Sequence, residues 1–408
     1  MKTTMSILLA LVLLDVAFCA VHQVHLTRVE SGKERMIRKG LFAKYLQQAE
    51  ESRLVAKGGS VPVNSYDDIE YQGNITVGSQ NKIISVYFDT GSATTWVVDE
   101  RCGKGQFKPD ECPDSCYSTP WCRERCEARC CSQCLHMTRF DSSKSTTFKP
   151  VSGSFSFTRM GVRVSGIFGT DTLSIGNQNA EKLTIVDTTF GLATRLASVS
   201  GQWWSGYGIL GLSADSPVIK NIIEQQALDE PVITAYLKNA NVEWNGHPGG
   251  TFTFGGLDTT NCGPVIDYEN FNFNIKNVRS GNYHNNNEYT TTTDTGAGFI
   301  GGPVDLVDGL ARAAGVEWGT AKWGEEGYFA DCSAVFPEIH LTIGDKDYTI
   351  SKDNYVRPTY NNNQCRLSFK RLDSAGFGPQ IVLGTPFIKE YCNVFDYAKQ
   401  RVGFAKAL

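Results

Sequence analysis

Over much of the chain polar and apolar positions alternate in short runs. Ser154 to Thr158 reads polar, Phe, polar, Phe, polar, and Thr251 to Phe254 repeats the alternation. Period two is the pattern of half-buried strands. With 40 glycines available to break such runs, the expectation is a mostly β protein of many short strands. Short helices are expected near Val218 to Gln226 and Val304 to Ala314.

The N-terminal pattern differs. Met1 and Lys2 precede an apolar run from Ile7 to Leu14, followed by the small residues Ala17, Cys19 and Ala20. A bilayer span needs about 20 apolar residues, so no membrane span is expected, and residues 1–20 read as a secretory signal. The expected destination is outside the cell, with a lysosome as the alternative. Residues 21–57 carry eight basic against four acidic side chains, although the chain as a whole has a net charge of −4. A cationic leader on an anionic body favours electrostatic docking, and that clamp loosens as falling pH neutralises carboxylates. The competing reading is a solvated helical segment without a role. Each remaining half is about the size of one domain, which predicts lobes over 58–256 and 257–408 meeting at a cleft.

Thirteen cysteines are present. Cys19 leaves with the signal, and the even remainder suits pairing in an oxidising compartment. Eight of them, Cys102, Cys112, Cys116, Cys122, Cys126, Cys130, Cys131 and Cys134, crowd into an insertion over 102–134. Repeated zinc-finger spacing is missing and His136 is the sole nearby histidine, so no metal is expected. A polar excursion closed by disulfides is the better account, although eight cysteines allow about a hundred pairings. A cystine-rich knob that binds a partner is a further reading.

The repeat carries the chemistry. Ser85-Val86-Tyr87-Phe88 and Thr292-Thr293 each lead into Asp-Thr-Gly, at Asp89-Thr90-Gly91 and Asp294-Thr295-Gly296, with the carboxylates 205 positions apart. One such turn is an ordinary loop. Each copy here is also followed by an apolar pair and glycine, Ile209-Leu210-Gly211 and Val382-Leu383-Gly384. The Asp-to-Gly intervals are 122 and 90 positions, and the insertion accounts for nearly all of the difference. An internal repeat is expected.

On these motifs, together with Asp68-Ile69-Glu70-Tyr71-Gln72-Gly73, Trp96-Val97-Val98, Gly166-Ile167-Phe168-Gly169, Phe254-Gly255-Gly256 and Val402-Gly403-Phe404-Ala405, the chain resembles the pepsin-like aspartic proteases. It is most similar to their cysteine-rich nematode members. The resemblance implies a bilobal β fold with a central cleft, a propeptide over residues 21–57 and a catalytic dyad of Asp89 and Asp294. Thr90 and Thr295 would cross-link the two loops, Gly91 and Gly296 would allow close approach, and Ser92 would support Asp89. Two carboxyls about 3 Å apart share one proton and serve as base and acid together, as the aspartic proteases themselves illustrate. They are best treated as a coupled pair. Cys332 with Cys365 corresponds to a family bridge, leaving Cys262 and Cys392 to pair. Asn74-Ile75-Thr76 is a candidate glycan acceptor.

The chain departs from the family pattern in three places. The flap tyrosine falls on Arg159, within the flap and substrate-binding set Arg159, Met160, Gly161 and Trp96, and an arginine there could stack on Trp96. The hydroxyl residues usual after the second aspartate are Ala297 and Gly298, which predicts a skewed pair in which Asp294 more often holds the proton. The pro-segment Lys-Tyr pair comes early, at Lys44-Tyr45, in a stretch that reads as helix. Thr290 to Thr293 is also more polar than an approach strand usually is.

A serine or cysteine nucleophile is disfavoured, because no Gly-x-Ser-x-Gly elbow is found and the clustered cysteines suit pairing. An acidic body disfavours nucleic acid. The expectation is a monomeric, secreted aspartic endopeptidase made as a zymogen, without cofactor, acting on peptides or proteins at acid pH. The alternative is an impaired relative that binds peptides in the same cleft without cutting them.

Overall fold

The computed structural model describes residues 22–28, 71–103, 134, 137–159, 162–176, 182–198, 208–238, 247–321, 326–359, 363–374 and 378–408. The signal segment, Lys44 and Tyr45, the six cysteines between Cys112 and Cys131, Met160, Gly161 and the Arg159 side chain lie outside the described residues.

The first half runs β1 (His22–Arg28), β2 (Tyr71–Val77), β3 (Lys82–Asp89), β4 (Trp96–Val98), β5 (Lys149–Arg159), β6 (Val162–Ile175), β7 (Leu183–Ser198), β8 (Gly208–Gly211), helix α1 (Pro217–Glu224), β9 (Val232–Leu237) and β10 (His247–Phe254). The second half runs β11 (Cys262–Asn270), β12 (Phe273–Ser280), β13 (Tyr283–Asn285), β14 (Tyr289–Thr293), β15 (Ile300–Gly302), helix α2 (Val304–Ala313), β16 (Trp318–Thr320), β17 (Glu326–Asp331), β18 (Ile339–Ile343) and β19 (Lys346–Ile350). It closes with α3 (Lys352–Tyr355), β20 (Val356–Pro358), β21 (Gln364–Leu367), β22 (Phe369–Arg371), β23 (Ile381–Leu383), α4 (Thr385–Ile388), β24 (Tyr391–Asp396) and β25 (Arg401–Ala407). The protein is mostly β, as its alternation predicts, and α1 and α2 fall where short helices are expected. Ser216 starts α1 by accepting from the Ile219 amide, with Pro217 in the first turn, a favourable N-terminal arrangement.

A 13-stranded sheet takes the order β11-β25-β24-β9-β10-β1-β2-β3-β8-β4-β7-β6-β5. Strands from both halves of the sequence thus share one sheet, β24 pairing with β9. The second half also has sheets β19-β18-β12-β14-β23-β15-β22 and β16-β17-β21-β20.

The internal repeat is visible in the pairing itself. In the first half β3 lies parallel to β8, β8 antiparallel to β4, and β4 parallel to β7. In the second β14 lies parallel to β23, β23 antiparallel to β15, and β15 parallel to β22. The two apolar-apolar-glycine elements therefore form or end the middle strand of each set. Toward Asp89, β3 is buried on both faces; it lies inside the sheet between antiparallel β2 and parallel β8.

Residues 22–28 form strand β1. β1 pairs with β10 along its length and with β2 at Thr27 and Arg28. Val24 and Leu26 enter the main core, so a two-residue period under the basic charge decides its structure. Disulfides join Cys102 to Cys134, closing the ends of the insertion, Cys262 to Cys392, and Cys332 to Cys365.

Candidate active site

The two Asp-Thr-Gly turns meet. β3 delivers Asp89 opposite Gly211 of β8, and the Leu212 amide donates to the Asp89 carbonyl at 2.8 Å. In the second half the Asp294 amide donates to the Leu383 carbonyl at 3.2 Å. Both carboxylates fold back on their own turns in the same way. Asp89 Oδ1 accepts from the Gly91 amide at 2.9 Å, and Asp294 Oδ1 from the Gly296 amide at 2.7 Å.

Threonine hydroxyls lock the turns to each other. Thr295 Oγ1 accepts from the Thr90 amide at 3.0 Å, and Thr90 Oγ1 accepts from the Thr295 amide at 3.1 Å. Thr295 Oγ1 also donates to the Phe88 carbonyl at 2.7 Å. These groups are buried, where unsatisfied polar atoms are costly, so the reciprocal bonds hold the two halves in one register.

Glycine is required at both levels. A β-carbon at Gly91 would lie 2.5 Å from Asp294 Oδ2, which places the second carboxylate against the first turn. A β-carbon at Gly211 would lie 2.8 Å from the Ser92 carbonyl oxygen, and one at Gly384 would lie 2.1 Å from that of Ala297. The glycines that close the repeated elements are thus the seats into which the aspartate turns press.

The halves are unequal. Ser92 Oγ donates to Asp89 Oδ2 at 2.8 Å, and the corresponding side chain in the second half is the methyl of Ala297. Asp89 is fully buried, whereas Asp294 is half-buried. The polar approach strand has a simple account: Thr291 Oγ1 donates to the Tyr289 carbonyl and Thr292 Oγ1 to that of Phe271. Asn74 is half-buried within β2 and Thr76 is buried, a more enclosed setting than an exposed acceptor loop.

β5 and β6 form the hairpin expected for the flap, with Arg159 opposite Val162. Phe157 of β5 meets the fully buried Trp96. Sequence reasoning missed this ring because it looked at the missing tyrosine rather than along the strand. It also missed Tyr397, whose buried hydroxyl donates to the Leu212 carbonyl at 2.5 Å and so fixes the chain leaving β8. Burial drives the Tyr397 phenol strongly upward, keeping it a neutral donor. Among the described residues no group of three or more acidic, histidine or cysteine side chains is placed to hold a metal, and no helix is long and apolar enough to cross a membrane.

The sequence model of the eukaryotic aspartyl proteases matches residues 70–407. The chain is 33% identical to Aspartic protease 6 of Caenorhabditis elegans, over 99% of this chain and 100% of that one. It is 31% identical to Aspartic protease 2 of Necator americanus, over 98% and 99%. Cathepsin E of Rattus norvegicus is 27% identical, over 100% of both chains.

Proposed function

Because the chain belongs to the eukaryotic aspartyl protease family and is a pepsin-like, nematode-type aspartic endopeptidase, we propose that it cuts peptide bonds at acid pH with water activated between Asp89 and Asp294. The observation that carries this reading is the meeting of the turns, through the crossed Thr90 and Thr295 bonds and the Gly91 to Asp294 approach. One carboxylate takes a proton from water as its oxygen attacks the peptide carbonyl carbon. The other gives its proton to the carbonyl oxygen. As the tetrahedral species collapses, the first carboxyl passes the proton it took from water to the leaving nitrogen while a hydroxyl of the diol returns its proton to the second carboxyl, so the amine leaves neutral and the pair again holds one proton. Water is the nucleophile throughout, and no bond forms between enzyme and substrate.

The test is cleavage of an unfolded protein between about pH 3 and 6, with Asp89→Asn and Asp294→Asn each lowering kcat by at least about a thousandfold. Activity surviving either change would overturn the assignment. The binding-only alternative has less support, since both turns and their crossed bonds are intact. An inert parent chain unchanged by Arg159→Tyr would reverse that judgement.

The same reading takes the product as secreted and monomeric, and residues 21–57 as its propeptide. Support for the propeptide comes from β1, which is zipped between β10 and β2 of the central sheet. Edman sequencing of acid-treated protein should then find a new N-terminus after Lys57. Retention of residue 21 in the active species would exclude a removable leader.

A further inference from the structure

The flap hairpin lacks the family's tyrosine, and its inner face is built of phenylalanine instead. Phe155 and Phe157 share one side of β5, while Ser154, Ser156 and Thr158 are exposed. Phe157 meets Trp96 edge to face, with ring centroids 6.5 Å apart and planes at 63°. Phe155 stacks on Phe157 at 5.8 Å and reaches Phe168 of β6 at 5.3 Å. Four rings thus run in series along the hairpin and end on Trp96.

Trp96 is a fixed anchor. It pairs with Gly191 of β7 on one side and with Ile209 of β8 on the other. The same β8 pairs with β3 through Ile209 to Tyr87 and Gly211 to Asp89. The ring series therefore ends with a single strand, β8, between it and the strand that delivers the first carboxylate. Gly191 leaves room for it, since a β-carbon there would lie 2.5 Å from Phe155 Cε1 and 3.1 Å from Trp96 Cβ.

We infer that Phe157 is a positioning residue: by packing on Trp96 it seats the flap hairpin against the Asp89 side of the site. The contact contains no titratable group and so keeps its strength as acid neutralises carboxylates. This inference rests on the peptidase reading above, and its test has an arm that does not depend on cleavage.

Phe157→Ala, Phe157→Leu and Gly191→Ala are compared with the parent full-length chain after acid treatment. Loss of the ring should raise KM for a peptide substrate by about tenfold while kcat stays within about twofold, and leucine should restore most of the difference. Gly191→Ala should act in the same direction by displacing Phe155. In hydrogen exchange, the amides of 154–168 should exchange about tenfold faster in Phe157→Ala, with those of β24 and β25 unchanged. Unaltered KM and exchange would overturn the inference. So would a uniform rise in exchange throughout the protein, because the ring would then be only core packing. If the parent chain cleaves nothing, the peptidase reading fails and the exchange measurement alone decides the seat.

Discussion

Gly91 and Asp294 stand in contact across the two halves of the protein: a β-carbon on the glycine would fall 2.5 Å from Oδ2, 2.6 Å from Cγ and 2.8 Å from Oδ1 of the aspartate. Gly91 is itself exposed, so the space it leaves open belongs to the site rather than to the core. Gly91→Ala should move the Asp294 carboxylate or be moved by it. A displacement of that order costs about a hundredfold in kcat, while the melting temperature changes little. Gly319→Ala is the matched control, since no atom lies within 4 Å of the β-carbon it would add. Equal kcat values for the two variants would show that the carboxylate yields without loss.

Thr295 does more than Thr90 in the crossed pair. Its hydroxyl accepts from the Thr90 amide and donates to the Phe88 carbonyl, both in buried surroundings. Thr295→Val keeps the shape but strips both partners, and each stranded buried group costs about 1–3 kcal/mol. The expected result is an unfolding free energy lower by about 3 kcal/mol and a large loss of kcat, with Thr295→Ser close to the parent in both. Urea titration with a parallel activity assay checks it. A valine variant of parental stability would mean that the carbonyl and amide find other donors.

The Cys262 to Cys392 disulfide straddles a strand. Cys262 pairs with Ala407 and Cys392 with Ala405, so the bond joins β11 to β24 across β25 between them. It closes 130 residues of sequence and holds the terminal strand of the 13-stranded sheet. Replacing both cysteines by serine should lower the unfolding free energy by about 3 kcal/mol without changing activity in the folded range. An equal loss of activity at low temperature would instead tie this distant edge to the site.

The site was legible because its constraints are local. A turn that presents a carboxylate needs Asp-Thr-Gly, and the strand behind it needs a glycine where Ser92 or Ala297 presses in. Both demands appear as letters at fixed places. The sharing of one sheet by β9 and β24 was not legible, because Asn393 and Ala235 meet only in three dimensions and neither residue type announces a partner. β1 went unread for a different reason. Its Val24 and Leu26 alternation was present, but Arg28 and the basic residues beyond it directed attention to charge. The polar run Thr290 to Thr293 looked like a defect until the carbonyls of Tyr289 and Phe271 supplied acceptors. Phe157 was overlooked because an apolar residue in a strand suggests core before it suggests function.

Glu269 ties stability to acid. On β11 it faces the turn between β18 and β19, where a β-carbon at Gly344 would lie 2.7 Å from its Oε1. Burial first, then the charges of Asp267 and Asp345, hold its carboxyl above the ordinary range. The folded protein therefore keeps this proton to a higher pH than the unfolded chain does. The resulting stability is fully present at low pH and is lost as pH rises through the folded value. Glu269→Gln carries no charge at any pH, so it should be more stable than the parent near neutrality. The two should converge below about pH 4, where the parent carboxyl is protonated as well. Thermal melts at both ends of that range check the sign: a glutamine variant that gains equally at both, or only in acid, would mean that packing, and not the burial of a charged carboxyl beside Asp267 and Asp345, governs this corner.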